Sequence, residues 1–164
     1  MIVTDIKYRL SGGTSNTDPK LSLGGVISNT EVSTAKHGLF DYAKPEEAEI
    51  GSVKYRCVFV KNVHVSETLS DAVLYMSLET TSSYTTIDIA YDSTGTQSVV
   101  NENTAPSSPV LTFSKPTSKA TGIALGNIAP GATKMIWERR TVTAGAVKLV
   151  GDTGQLMVVG GTAT

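Results

Sequence analysis

The sequence predicts an all-β fold, with two antiparallel sheets packed as a sandwich. Three observations predict it. Hydrophobic residues are 40% of the 164 residues and charged residues only 18%, so the remainder is rich in Ser, Thr and Gly. Thr and Val favour extended backbone and Gly favours turns, whereas long helices need straight-chain residues. Apolar side chains alternate with a period of two along several short runs. No stretch supplies the long helices that cover a parallel sheet, which leaves an immunoglobulin-like or jelly-roll-like antiparallel sandwich as the economical arrangement.

The elements follow in order. Ile2 to Leu10 reads as a first strand, ended by Ser11-Gly12-Gly13 and a polar stretch to Lys20. Leu21 to Ser28 is a short extended segment whose Gly24-Gly25 pair permits a bulge or close backbone packing. Residues 29–49 are the least strand-like and form a long connection across the fold. Within it, Pro45-Glu46-Glu47-Ala48 suits one helical turn, with proline first and glutamates at the positive end.

From Ser52 to Val60, Val53, Tyr55, Cys57 and Phe59 share one strand face. Lys54 and Arg56 share the other with Val58 and Val60, so the strand starts half-exposed and ends buried on both sides. Ala72, Leu74, Met76 and Leu78 then alternate with Val73, Tyr75 and Ser77, and Tyr84 to Tyr91 is a further strand. Short strands follow at Val110–Phe113, bounded by Pro109 and Pro116, and at Thr121–Leu125. Pro130-Gly131 is placed for a type II turn into the strand Thr133–Val142. Val147–Val150 and Gln155–Val159 complete eight to ten strands, and Gly160-Gly161 loosens the end. A chain of this length buries roughly 68% of its extended surface on folding, enough for one core. The organisation expected is a single domain over 1–164, with 1–20 and 160–164 as arms suited to contact a neighbour.

Cys57, Phe59, Leu74, Met76 and Trp137 are the expected core residues. Cys57 is the only cysteine, which rules out an internal disulfide, and its apolar run makes it a small buried hydrophobe. His37 and His64 are the only histidines. Catalysis by His64 with Cys57 is the weaker alternative to a loop histidine bonded locally, since a nucleophile needs an oriented base beside it. Asp88 with Asp92, or Asn101-Glu102-Asn103, lack calcium-loop spacing and read as turn caps and solvent-facing residues. The glycine pairs match no phosphate-binding pattern. No enzyme, metal or cofactor is therefore expected.

The net charge of −1 is unevenly spread. Between Cys57 and Ser114, Lys61 is the sole base against six acids, while from Lys115 onward six bases face Glu138 and Asp152. Separate acidic and basic faces would suit ordered protein contacts; interleaving after folding is the ordinary alternative. There is no dense basic stripe, signal segment or apolar span, so neither nucleic acid nor membrane is an expected partner. Arg139, Arg140, Tyr84 and Tyr91 are the candidate interface residues, with Trp137 joining the tyrosines if exposed.

Two segments carry a family resemblance. Val53 to Asn62 followed by Leu69 to Tyr75 resembles a strand pair of immunoglobulin-like sandwiches, and Ile128-Ala129-Pro130-Gly131 leading into Lys134 to Trp137 resembles their late turn-and-strand unit. With Tyr8 to Gly13 and Leu23-Gly24-Gly25, the whole looks like the small structural proteins of tailed bacteriophages. The resemblance implies a virion component assembled in the host cytoplasm. Capsid decoration or cement is the first expectation: binding the major capsid protein or other virion proteins, as a homo-oligomer or in many lattice copies. A tail, baseplate or fibre-associated module and a carbohydrate-binding sandwich are the alternatives.

Overall fold

The structure is a computed structural model, and it describes residues 5–35, 37–149 and 152–163. Eight strands and one short α-helix are found among them, besides two 3-10 turns: β1 (Ile6–Ser11), β2 (Ile27–Glu31), α1 (Pro45–Ile50), β3 (Ser52–Asn62), β4 (Thr68–Leu78), β5 (Thr85–Asp92), β6 (Ile123–Ile128), β7 (Thr133–Val142) and β8 (Gln155–Ala163). They form a five-stranded sheet ordered β2-β1-β3-β7-β5 and a three-stranded sheet ordered β6-β4-β8. Every pairing is antiparallel. The two sheets pack face to face, as the alternation predicted.

From β3 onward each connection carries the chain to the opposite sheet, so only β1 and β2 are sequence neighbours that pair. The segments 53–62 and 69–75 accordingly lie in facing sheets and are not hydrogen-bonded to each other. The alternation sorts side chains. Val58 and Val60 of β3, Ile136 of β7 and Ile87 and Ile89 of β5 meet Leu69, Ala72, Leu74 and Met76 of β4, with Leu125, Ile128 and Val158, in the interior between the sheets. Asn62, fully buried, stitches the layers: its side-chain amide donates to the carbonyls of Glu67 (2.8 Å) and Ile128 (2.9 Å).

The other face of the five-stranded sheet is covered too. Tyr55, Cys57 and Phe59 stand beside Met135 and Trp137, forming a second apolar cluster. Two excursions, 12–26 and 93–118, lie over it; the second brings Val99, Leu111 and Phe113 down onto it, and Ile27 at the start of β2 joins them. They are tied together by main-chain bonds from Gly25 N–H to the Gln97 carbonyl (2.8 Å) and from Val99 N–H to the Leu23 carbonyl (2.9 Å). Where they close, Gly24 has φ of 92°, and a Cβ there would lie 2.1 Å from the Gln97 oxygen and 2.8 Å from the Trp137 ring. No side chain fits. Gly24→Ala should therefore destabilise the fold by roughly 2–4 kcal/mol, from left-handed strain and displacement of the cover, as read by urea unfolding.

β3 along its middle is thus buried on both faces, which an alternating solvated strand is not. Lys54 and Arg56, at the strand start expected to be half-exposed, are 4% and 0% exposed. Other expectations also shift. Val110–Phe113 joins no sheet: prolines flank it, Ser114 alone pairs with Ile89 at the β5 edge, and its Leu111 and Phe113 serve as cover. Residues 147–149 are not strand, and Val150 lies outside the described residues. Helix α1 forms where proline and the glutamates placed it, and Gly131 turns the chain at φ of 76°. Part of each expected terminal arm is built into a sheet: residues 6–10 of the arm 1–20 pair with β3, and residues 160–163 belong to β8, which pairs with β4. Residues 1–4 and 164 lie outside the described residues.

Candidate interaction face and buried charge cluster

The two sheets differ in what their outer faces meet. Burial along β4 alternates: Leu69, Ala72, Leu74 and Met76 are buried, while Ser70, Val73, Tyr75 and Ser77 reach solvent. On that solvated face Val73 stands opposite Val159 and Ala124, and Tyr75 stands opposite Met157, its hydroxyl 3.0 Å from the sulfur. No strand residue of β6 or β8 is charged, and between Val73 and Leu78 β4 carries no charge either. The result is an uncharged, largely apolar sheet face that reaches solvent, the composition found at the cores of protein interfaces.

The second feature lies at one end of the inner face of the five-stranded sheet. Lys54 and Arg140 are cross-strand partners, and Arg56 faces Glu138. The Lys54 ammonium is 2.5 Å from Glu47 Oε1, 2.9 Å from Glu102 Oε1 and 3.7 Å from Asp41 Oδ1. Arg56 binds the other Glu102 oxygen and donates to its neighbour's carbonyl at Tyr55. Arg140 donates to the Asp41 carbonyl and lies 3.5 Å from Glu47. The Phe40 ring is held between the two guanidiniums, 5.5 Å from that of Arg56 and 5.2 Å from that of Arg140, close enough for cation–π attraction.

Burial alone would pull the Lys54 amine down, but its bonds to Glu47 and Glu102 outweigh this and raise it. Glu102 shows the converse: burial pushes it up, and the stronger pull of Lys54 and Arg56 holds it below the ordinary range. Glu138 has no such support. Burial pushes its carboxyl up to about 7, and the Arg56 guanidinium across from it is engaged by Glu102 and the Tyr55 carbonyl. The Cys57 thiol is also raised by burial and is sealed from reagents.

The candidate interface residues divide. Arg140 is not on the surface; it belongs to the buried cluster. Arg139, on the opposite strand face, grips one Asp88 oxygen through two nitrogens (2.7 and 3.1 Å) and lies 4.9 Å over Phe113. Tyr91 is half-buried with the Lys134 amine over its ring, and Tyr84 is half-buried at the start of β5. Trp137 is fully buried, so no aromatic platform forms with the two tyrosines. Acidic and basic stretches interleave, as Arg139–Asp88 and Lys115–Glu79 show.

His64 Nδ1 accepts the main-chain N–H groups of Ser66 and Glu67 (3.2 and 2.8 Å), a local loop role. Asp92 accepts from the Thr94 N–H and hydroxyl and caps a turn. Among the described residues no group of three His, Cys, Asp or Glu is placed to hold a metal ion. A shallow surface hollow of about 430 Å³ is lined by Pro109, Val110, Leu111 and Ile123, with Tyr91 its only titratable side chain. The apolar outer face of β4 and β8 escaped sequence reasoning because each strand alternates apolar with apolar; only the sheet order shows which set is left uncovered. Comparison with family models, curated proteins and solved structures finds no match to this chain.

Proposed function

We propose that this protein is a non-catalytic structural protein that acts by docking on other protein surfaces, and that it is a decoration or cement protein of a tailed-phage capsid. The observation that carries the docking reading is the asymmetry of the outer faces. One sheet is covered by the chain's own excursions over Trp137, while the other leaves Val73, Tyr75, Met157 and Val159 half-buried, reaching solvent and uncharged. Strand residues on a stiff sheet present such a face at little entropic cost on binding. The phage assignment rests on the sequence resemblance, which supplies the partner: the major capsid protein, met in many lattice copies.

Purified protein should add to undecorated phage heads at defined lattice positions and raise their resistance to heat or osmotic shock. Tyr75→Glu with Val159→Glu should keep the circular dichroism of the fold and lose the addition, because both bury an unpaired negative charge in the contact. Absence of binding to heads, with the protein found only in tails, would move the assignment to a tail or baseplate module. Full addition by the double variant would remove the small-sheet face from the proposal.

A further inference from the structure

The connection between β2 and β3 crosses the charged end of the five-stranded sheet as a strap. Few apolar contacts hold it. Leu39 and Phe40 are partly buried against the core, and α1 buries no residue. Its other attachments are polar: the Asp41 and Glu47 carboxylates on Lys54 and Arg140, the Asp41 carbonyl on Arg140, and two main-chain bonds. Those bonds run from Gly145 N–H to the Glu49 carbonyl (3.3 Å) and from Ala146 N–H to the Ala48 carbonyl (3.0 Å).

The charges are divided by element. The cations sit on β3 (Lys54, Arg56) and β7 (Arg140), the two central strands paired over ten register positions. Two carboxylates sit on the strap, the third, Glu102, comes from the 93–118 excursion, and Glu138 of β7 faces the same side. The strap's own Lys44 is exposed, its backbone N–H donating to Glu47. Acid therefore discharges one side only. Carboxylates ordinarily titrate near about 4, whereas guanidinium and ammonium groups keep their charge far above that. Discharging Asp41 and Glu47 strips Arg140 of its counter-charges and leaves Lys54 and Arg56 with Glu102 alone, and moving the strap aside lets water reach all three cations.

We propose that residues 39–50 are an acid-released strap, which detaches from β3 and β7 when its carboxylates are protonated and uncovers Lys54, Arg56 and Arg140 while the two sheets stay packed. Segments held by few apolar contacts open locally at far lower cost than core strands. The cluster around Trp137 takes no residue from the strap and keeps its burial, and the interior between the sheets gives up only its contacts with Leu39 and Phe40.

Amide hydrogen exchange on the whole chain at pH 7 and pH 4, corrected for intrinsic rates, tests this. The amides of Ala48, Gly145 and Ala146 should lose protection by about a hundredfold at pH 4, while those of β3 and β7 paired in the ladder change by less than about threefold. Asp41→Asn with Glu47→Gln should reproduce the loss at pH 7. Unchanged protection of the three amides at pH 4 would overturn the proposal, as would loss in step with β3 and β7. A double variant that retains full protection at pH 7, or that unfolds altogether, would equally count against it.

Discussion

Glu138→Gln should stabilise the protein at pH 8 by about 3 kcal/mol and change it little near pH 4, as measured by urea unfolding across pH. The carboxyl is raised by burial from the ordinary 4.5 to about 7. Between those values the folded chain holds a proton that the unfolded chain has released. Stability therefore falls as pH rises through this window, and above about pH 7 the folded state carries the whole cost of a buried carboxylate. The amide keeps the shape and cannot ionise, so the variant's profile should be flat where the wild type declines. Glu102 contributes with the opposite sign. It is held low by Lys54 and Arg56, so its contribution is present at neutral pH and is lost as pH falls through its folded value. Together they place the wild-type optimum in the mildly acidic range. A wild-type stability that does not fall between pH 5 and 8, or a Gln variant that declines in parallel with it, would show that Glu138 is solvated or paired.

Trp137→Ala should cost about 3–5 kcal/mol, the range for truncating a large core aromatic, and lower the melting midpoint by on the order of 10 °C. Tyr75→Ala, also an aromatic on the outer face of a central strand, should cost only about 1 kcal/mol. The difference lies in what covers each ring. Trp137 is sealed beneath Gly24 and the tied excursions, and its loss leaves a cavity. Tyr75 touches Met157 and meets water on its other side. Equal costs for the two would mean either that the excursions are not a fixed layer or that the small sheet's face is covered. Calorimetry on both variants, with near-ultraviolet dichroism to report packing, separates these outcomes.

The strand topology also bears on how the chain folds. With six successive strands alternating between sheets, nearly every pairing joins segments distant in sequence, the arrangement that slows folding and exposes edges meanwhile. The edges show unequal protection. β5 is met by Ser114, and β2 is short and ends in Glu31, whereas β8 has neither charge nor proline.

Features that depend on near neighbours along the chain were legible without coordinates. Period-two alternation in β3, β4, β5 and β7 marked the strands and their apolar sets, Pro45 with its glutamates marked α1, and Pro130-Gly131 marked the turn before β7. Cys57, Phe59, Leu74, Met76 and Trp137 are buried where that alternation put them. Only the tertiary structure decided what lies opposite each face. Lys54, Arg56 and Arg140 read locally as solvent-facing because their partners are remote: Glu102 is 46 residues from Arg56, and Asp41 is 99 residues from Arg140. The same holds for the layer over Trp137, which loops without any strand pattern supply, and for the solvent-reaching apolar face of β4 and β8. Alternation tells a side chain which of two sides it takes, but burial is a property of what the rest of the chain brings to that side, and for a fold built of long-range pairings this is set by sheet order.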